Sequence, residues 1–468
     1  MVKNKKNVDW FLIILLFSAF FLRLFFLFYR QVLLWDSGVY IGMGKFIFSL
    51  GRSGLFEHIR PVIVPFVLGF FWKLGLDPVF FGKLFEIVLG SFSVGLLYVL
   101  AKSWFGKRTA VFAGVIFAFS PLFFYLSFHQ YTEIPALFFV LLSLWFFDKS
   151  FFVSGLFLGV AFLTKFLAGI FLPIFIFVLF FKKDFKSMFF LVLGFLFVSL
   201  PYLFFSWFFF GSPFASLLAA HSAIKRVLGC NVLRFKPWWF YFEVFFKESW
   251  LYLFLVFGLL KSWFEKVKNY LLLLLCFFVP FVYLSLMHCR DYRYAALFLP
   301  FAAVFAGKGI DAFVGLFGKY RKVFFVFAVF IVFFVSVFSA ISFFFEERVV
   351  PSEVQNRFFS FFDDKGSSGE IWVSNPSFAA YSDFKFYKIY YPVYDNNLSL
   401  SFHQYIQKNF EKISFVALEN CGGGIICLPD DVVCLNSTAG LISFLDSKFR
   451  RVFDEQHGRC WYRIWSNV

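Results

Sequence analysis

Long apolar runs separated by short clusters of Lys and Arg are the feature that most restricts what this chain can fold into. The 468 residues are 61% hydrophobic and include 88 Phe, and the mean hydropathy is +0.79. A soluble globular domain is only about half apolar, whereas a helix of about 20 apolar residues crosses a bilayer. We therefore predict an α-helical polytopic membrane protein whose main solvent is the lipid bilayer.

About eleven transmembrane helices are predicted from these runs. Two of them form a hairpin over residues 152–181, because only a hairpin there keeps all the Lys and Arg clusters on one side of the membrane. The first span is predicted to be an uncleaved helix rather than a signal peptide. The nine other spans are 10–30, 79–101, 110–128, 132–147, 187–210, 249–261, 269–287, 294–308 and 323–345.

The formal net charge of +16 is divided among short clusters between the spans. This distribution is typical of topology signals and of lipid-headgroup contacts, so no nucleic acid partner is expected. The predicted cytoplasmic clusters are Lys102, Lys107 and Arg108; Lys182, Lys183 and Lys186; Lys261, Lys266 and Lys268; and Lys308, Lys319, Arg321 and Lys322. Residues 31–78, 211–248 and 346–468 are then expected on the exterior face of a cell membrane, with the active site there.

The chain changes character after residue 345. Apolar runs shorten, and strand-like alternations at 371–374 and 413–418 occur among helix-like polar stretches. We predict a transmembrane domain over 1–345 and a small exoplasmic α/β domain over 346–468. One or two disulfides are expected in the second domain, with the pairing open, among Cys421, Cys427, Cys434 and Cys460. The cysteines lack CxxC spacing, so no metal site is predicted.

Asp36 begins the first polar group of the predicted exterior segments, and Arg60 follows it in the stretch RPVIVP. An acid just beyond the first span is placed to meet an acceptor hydroxyl at the membrane surface. The alternative is that Asp36 caps a juxtamembrane helix.

Glu133 and Lys165 are candidate functional residues in the middle of the predicted bundle. Glu133 lies in a very short exterior loop, where an acid also favours a helix N-terminus. Lys165 lies at the top of the hairpin, and an ionisable group among apolar residues usually needs a partner. The alternative for Lys165 is snorkelling to lipid headgroups.

Arg293 and Tyr294 belong to a third short exterior loop, 288–294, which is dense in charged and aromatic residues. Arg presents a fork of donors that suits phosphate oxygens, so this loop is a candidate cradle for a phosphate. The alternative is an aromatic belt at the membrane interface with an incidental ion pair.

The order of these elements resembles the GT-C superfamily of polytopic glycosyltransferases, in particular the protein O-mannosyltransferase and aminoarabinose-transferase-like group. The resemblance covers roughly residues 10–310. Asp36 matches the acid after the first helix, with Ser37 where the group often has Glu. The other matching stretches are RPVIVPFVLGFFWKLG, SWFGKRTA, FSPLFFYLSFHQYTEIPALFF with Glu133 in place of Asp, AFLTKFLAGIFLP and DYRYAALFLP.

The resemblance implies transfer of a sugar, mannose or similar, from a polyprenyl or dolichyl monophosphate donor with inversion. The acceptor is a protein, a lipid or a glycan on the outer face. Asp36 is then the general base, with Glu133 as a second catalytic acid. Arg60, Lys165, Arg293 and Tyr294 would bind the donor phosphate. The sequence contains no DxD motif, so the reaction is expected to need neither a metal nor another cofactor.

Two other functions are compatible with part of the pattern. A secondary transporter would place charged residues at the bilayer midplane and would show repeated halves, whereas the charged candidates here cluster at the predicted outer ends of helices and the two halves show no evident repeat. A non-catalytic scaffold would fit the loss of Glu at Ser37, although Asp36 is retained.

Overall fold

The computed structural model describes residues 8–226, 236–265, 269–363, 369–389, 403–421, 425, 427 and 430–467. Two lysines of the predicted cytoplasmic clusters, Lys266 and Lys268, lie outside these residues, and so do the N-terminal Lys3, Lys5 and Lys6.

Helical segments occupy all the predicted spans. They are α1 (Trp10–Phe26), α4 (Pro78–Phe105), the broken pair α5 (Lys107–Ala118) and α6 (Pro121–Leu126), α7 (Glu133–Phe147), α8 (Phe151–Thr164), α9 (Phe171–Phe181), α10 (Phe185–Phe210), α13 (Phe254–Phe264), α14 (Tyr270–Leu286), α15 (Leu299–Gly315) and α16 (Arg321–Glu347). The connecting segments contain α2 (Trp35–Phe48), α3 (Ile63–Lys73), α11 (Ala215–Arg226) and α12 (Phe240–Glu248). The predicted helical membrane fold is confirmed.

Within the described parts of the chain, three helical segments are long and apolar enough to cross a membrane by themselves, namely Pro78–Phe105, Phe185–Phe210 and Gly318–Glu347. The other apolar helices are shorter, and several are preceded by one or two turns of 3₁₀ helix. Phe166–Ile170 leads into α9, Trp250–Leu253 into α13, and Tyr292–Leu297 into α15. Each of these 3₁₀ segments follows a polar residue, namely Lys165, Ser249 and Asp291.

The predicted hairpin is present as α8 and α9. Gly155 of α8 approaches Leu191 of α10, and Gly159 approaches Phe195 one turn further along both helices. Both contacts advance in the same direction, so α8 and α10 run parallel and pack directly against each other, and the connecting α9 returns the chain in the opposite direction. Gly is required at position 155, because a Cβ there would lie 2.0 Å from the Leu191 carbonyl oxygen. Lys165 occupies the break between α8 and the 3₁₀ turn.

The predicted boundary of the span 294–308 is wrong at its C-terminal end. Helix α15 continues to Gly315, so Lys308 belongs to the helix rather than to a loop. Its ammonium lies 2.6 Å from a carboxylate oxygen of Glu265, which immediately follows α13. This ion pair allows a cation to be accommodated within the helical segment.

A break between α5 and α6 is held by buried polar contacts. Glu248, at the end of α12, accepts hydrogen bonds from the Ser120 hydroxyl at 2.5 Å and from the Leu122 amide at 2.9 Å. Arg23 of α1 donates to the Ala118 carbonyl at 2.8 Å. Glu248 also accepts a hydrogen bond from the Tyr292 hydroxyl, so this carboxylate connects the break to the loop that carries Arg293.

The C-terminal region contains a five-stranded mixed sheet in the order β2-β1-β3-β5-β4. Its strands are β1 (Glu370–Val373), β2 (Phe386–Lys388), β3 (Ile413–Glu419), β4 (Arg450–His457) and β5 (Cys460–Ser466). The first three are parallel and β5 is antiparallel to β3 and β4. Helices α17 (Glu353–Phe359), α18 (Phe378–Tyr381), α19 (403–408) and α20 (Val432–Lys448) accompany the sheet. The two predicted strands correspond to β1 and β3, which confirms the small α/β domain.

Both disulfides of this region are formed within it. They join Cys421 to Cys460 and Cys427 to Cys434. The sequence left the pairing open, and the sheet decides it, because Cys460 begins β5 beside the end of β3.

The juxtamembrane helix α2 shares an apolar core with the C-terminal sheet. Val39, Met43 and Leu55 pack in one cluster with Phe358 and Ile464. The Lys45 ammonium donates to carbonyl and carboxylate oxygens at the end of α18 and just after it, including Asp383 at 2.9 Å. The predicted division of the chain at residue 346 stays a prediction, and the packing of α2 crosses that division.

Candidate active site

Asp36 lies at the centre of a cluster of buried and half-buried charges. Its Oδ1 is 2.8 Å from Arg60 Nη2, and its Oδ2 is 2.8 Å from Arg293 Nη1. The N-cap position of α2 is Leu34, and both carboxylate oxygens of Asp36 are engaged by the two arginines. The capping alternative therefore does not account for Asp36.

The two arginines determine the charge state of Asp36. Burial by itself would raise the pKa of this carboxyl, but Arg60 and Arg293 outweigh burial and hold the pKa well below its usual range. Asp36 is thus ionised and a weak base while both arginines contact it.

Arg60 is held on a second side by Glu57. The Arg60 Nε donates to Glu57 Oε2 at 3.1 Å, and the two residues close a turn through a backbone hydrogen bond of 3.2 Å. The guanidinium carbon also lies 5.7 Å from the centroid of the Tyr40 ring. Arg60 therefore has a fixed orientation in which its terminal nitrogens point to Asp36.

Glu133 and Lys165 form a second ion pair. Lys165 Nζ lies 2.9 Å from Glu133 Oε1, while Glu133 Oε2 accepts from the Thr132 amide at 3.1 Å. The Lys165 ammonium is 5.0 Å from the centroid of the Tyr294 ring. The sequence predicts that Lys165 needs a partner, and the structure shows that this partner is Glu133. Glu133 is also the first residue of α7.

Arg293 joins three parts of the site. It pairs with Asp36, lies 3.3 Å from Asp291, and stacks over Tyr131 with its guanidinium carbon 4.6 Å from the ring centroid. Asp291 is anchored in turn, because its carbonyl oxygen accepts a hydrogen bond from the Tyr241 hydroxyl at 3.1 Å. The loop 288–294 is therefore a cationic and phenolic wall of the site.

A family model described as dolichyl-phosphate-mannose-protein mannosyltransferase matches residues 59–207. A comparison with curated protein sequences finds no match. Solved structures are similar over nearly the whole chain. ArnT from Cupriavidus metallidurans bound to undecaprenyl phosphate has a TM-score of 0.67 at 13% identity, with 98% of this chain and 97% of that chain covered.

The same ArnT in the apo state has a TM-score of 0.61 at 14% identity, covering 97% of this chain and 98% of that chain. An archaeal oligosaccharyltransferase, AglB from Archaeoglobus fulgidus in complex with an inhibitory peptide and a dolichol-phosphate, has a TM-score of 0.62 at 12% identity. The alignment covers 87% of this chain and 69% of that chain. This chain has the fold of the GT-C glycosyltransferases.

The GT-C fold brings all six predicted site residues into one connected cluster. Asp36, Arg60 and Arg293 form direct ion pairs, while Glu133, Lys165 and Tyr294 form the adjacent group. Their assignment as catalytic and phosphate-binding residues stays a prediction.

Sequence reasoning missed Glu57 and Lys388. Glu57 could have been found, because an acid three residues before Arg60 can pair with it within one turn of chain. Lys388 carries no local signal, since it lies in strand β2 of the C-terminal sheet. Lys388 contacts the candidate site, through Glu57, only because the C-terminal sheet packs on α2.

The arrangement of charges suits exchange of one anion for another. Each arginine that contacts Asp36 also contacts a second acid, Glu57 for Arg60 and Asp291 for Arg293. An incoming phosphate can replace Asp36 as their partner without leaving an unpaired cation. Arginine forks suit phosphate geometry, and a low-dielectric site strengthens the attraction.

Proposed function

We propose that this protein is a lipid-phosphate-sugar-dependent glycosyltransferase that acts with inversion on the exterior face of the membrane. The donor is a polyprenyl or dolichyl monophosphate sugar, mannose or similar, and the acceptor offers a hydroxyl on a protein, lipid or glycan. The observation that carries this proposal is the Asp36 carboxylate between Arg60 and Arg293. The lipid phosphates bound by the ArnT and AglB structures support the donor class.

Donor binding is the first step, and it changes the partners of Asp36. The donor phosphate contacts Arg60, Arg293 and Lys165, whose positive charges attract it. The arginines are drawn from Asp36, so its pKa rises towards the ordinary range of an aspartate. Asp36 thereby becomes a usable base only when the donor is present.

Transfer then requires attack and proton removal. The acceptor oxygen attacks the anomeric carbon from the face opposite the phosphate, forming one C–O bond as the bond from carbon to phosphate oxygen breaks. Asp36 takes the hydroxyl proton. The lipid monophosphate leaves with the bonding electrons, and the three cations stabilise its growing negative charge.

Glu133 supports this step through Lys165. Its carboxylate is only 3% exposed and accepts from both Lys165 and the Thr132 amide, which favours a role in holding Lys165 towards the phosphate. Glu133 remains the second candidate for the base.

Exterior placement of the site follows from the predicted topology, in which the chain crosses the membrane several times and residues 31–78, 211–248 and 346–468 lie outside. The two disulfides support it, because disulfides persist in oxidising compartments.

The direct test is transfer by the purified full chain in nanodiscs that contain its native membrane lipids. A panel of labelled polyprenyl-phosphate sugars, including mannose, is added with a membrane extract, and label is followed into protein, lipid and glycan fractions. We expect one donor to yield labelled acceptor together with stoichiometric polyprenyl phosphate. Absence of transfer and of lipid-phosphate binding across the panel would overturn the proposal.

A further inference from the structure

A continuous series of ion pairs leads from the C-terminal sheet to Asp36. Lys388 of β2 pairs with Glu57 Oε1, and Glu57 Oε2 accepts from Arg60 Nε at 3.1 Å. Arg60 Nη2 then lies 2.8 Å from Asp36. The charges alternate in sign along this series. Both carboxylate oxygens of Glu57 are in use, one for each cation.

The backbone places Glu57 beside β2. Gly54 donates its amide to the Phe384 carbonyl and accepts from the Phe386 amide, both at 2.8 Å. Gly54 has a φ of +77°, and a Cβ there would lie 2.1 Å from the Gly42 carbonyl oxygen. The segment before Arg60 is thus held along the strand edge, with Glu57 level with Lys388.

Burial makes the balance of charge around Glu57 important. The side chains of Glu57 and Lys388 are 2% and 6% exposed, so solvent water screens the charge of neither side chain effectively. Lys388 also lies over the ring of Trp35, the residue before Asp36, at 5.6 Å from the centroid. A buried carboxylate that loses one cation draws the remaining one more strongly.

We propose that Lys388 of the C-terminal domain is a positioning residue for the donor-phosphate site. By sharing the charge of Glu57, Lys388 leaves the terminal nitrogens of Arg60 directed at Asp36 and at the incoming phosphate. Without Lys388, Arg60 turns its fork towards Glu57. This inference rests on the proposed function, and it makes the C-terminal domain part of the donor site rather than a separate attachment.

The experiment compares K388M, K388R and the double variant E57Q/K388M with wild type in the full chain. The matched control is K385M, which removes an exposed lysine immediately before the same strand. The first readout is the dissociation constant of polyprenyl phosphate, and the second is the rate of transfer. Thermal stability is measured for each variant so that equally folded samples are compared.

We expect K388M to weaken polyprenyl phosphate binding by roughly tenfold, a typical size for coupling between linked sites. K388R and K385M should bind like wild type. The double variant should regain most of the affinity, because a neutral glutamine in place of Glu57 no longer competes for Arg60. This rescue separates positioning from structural support and from direct contact between Lys388 and phosphate, neither of which the Glu57→Gln change would restore.

Equal affinity in K388M and K385M would overturn the inference, and so would an unrescued loss in the double variant. If K388M does not purify, the polyprenyl phosphate affinity of E57Q/K388M is compared with that of K388R. Only a positioning role of Lys388 predicts that these two affinities are equal. A wild-type protein that binds no polyprenyl phosphate would overturn the proposed function itself, which distinguishes the two failures.

Discussion

Arg293 Nη1 lies 2.8 Å from Asp36 Oδ2 although the two residues are 257 positions apart in the chain. The contact joins the loop before α15 to the first turn of α2. It also makes a candidate base and a candidate phosphate ligand neutralise each other. These charges are therefore paired with one another without donor, and the proposed donor binding would have to exchange their partners.

Asp36→Asn separates the roles of base and counter-ion. Asn keeps the size of Asp but accepts no proton, so transfer should fall by about 10² to 10⁴. Binding of polyprenyl phosphate should be retained or strengthened, because the charge that competes for the arginines is gone. Transfer rate and lipid-phosphate affinity are measured on samples matched for thermal stability.

The control for this variant is Asp9→Asn. Asp9 pairs with Lys102 at the other end of α1, so its loss should leave transfer near the wild-type rate. Near wild-type turnover by D36N would remove Asp36 as the base and make Glu133 the next candidate.

Substitutions of Arg60 should separate the effect of its positive charge from that of the paired donors of its guanidinium. R60K keeps an ammonium but loses the paired donors that face Asp36 and Glu57, so its affinity for polyprenyl phosphate should lie between those of wild type and R60A. Titration of the lipid phosphate into the three proteins measures this order. Identical affinities would place the phosphate away from Arg60.

The protonation of Asp36 should respond to donor. In the free protein the arginines, against the effect of burial, keep the pKa of this carboxyl below its ordinary value of 3.8, so it stays ionised as the pH falls to that value. Bound phosphate draws the arginines away, and the pKa should then rise. Infrared difference spectra, with D36N to assign the acid band, should show protonated Asp36 at higher pH in the complex.

The same titration bears on stability with a definite sign. A carboxyl with a depressed folded-state pKa stabilises the fold above its unfolded-state pKa and loses that contribution as the pH falls through the folded-state pKa. The difference in melting temperature between wild type and D36N should therefore shrink only at strongly acidic pH. In the infrared spectra, a raised pKa of Asp36 in the protein without donor would contradict its ion pairs with Arg60 and Arg293.

Topology can be tested with single cysteine probes. Lys412→Cys, exposed on the C-terminal domain, should react with a membrane-impermeant maleimide in intact cells, whereas Lys319→Cys should react only after permeabilisation. Labelling of the wild-type protein gives the background, because Cys276 is buried, Cys289 is disulfide-bonded and both disulfides of the domain are formed, while Cys230 lies outside the described residues. The opposite labelling would place the site on the cytoplasmic side.

The sequence by itself located the apolar helical segments and six residues of the candidate site, although not Glu57 or Lys388. Span positions follow from apolar length, because a bilayer requires a nearly fixed number of residues per helix. The same local information, together with the order of motifs, selected Asp36, Arg60, Glu133, Lys165 and Arg293. The end of α15 was misjudged because Lys308 looks like a loop residue until its partner Glu265 is known.

Only the tertiary structure decided which charges pair and that the C-terminal sheet packs on α2. Local patterns cannot show that Glu57 takes both Arg60 and Lys388, or that Val39 and Met43 of α2 belong to the core of the C-terminal sheet. Ion pairs depend on distances of a few ångströms between segments far apart in the chain, and their strength depends on burial. Both the distances and the burial are set by packing. Packing places Lys388 beside the loop that carries Glu57, and the residues next to Lys388 in the sequence do not predict this contact.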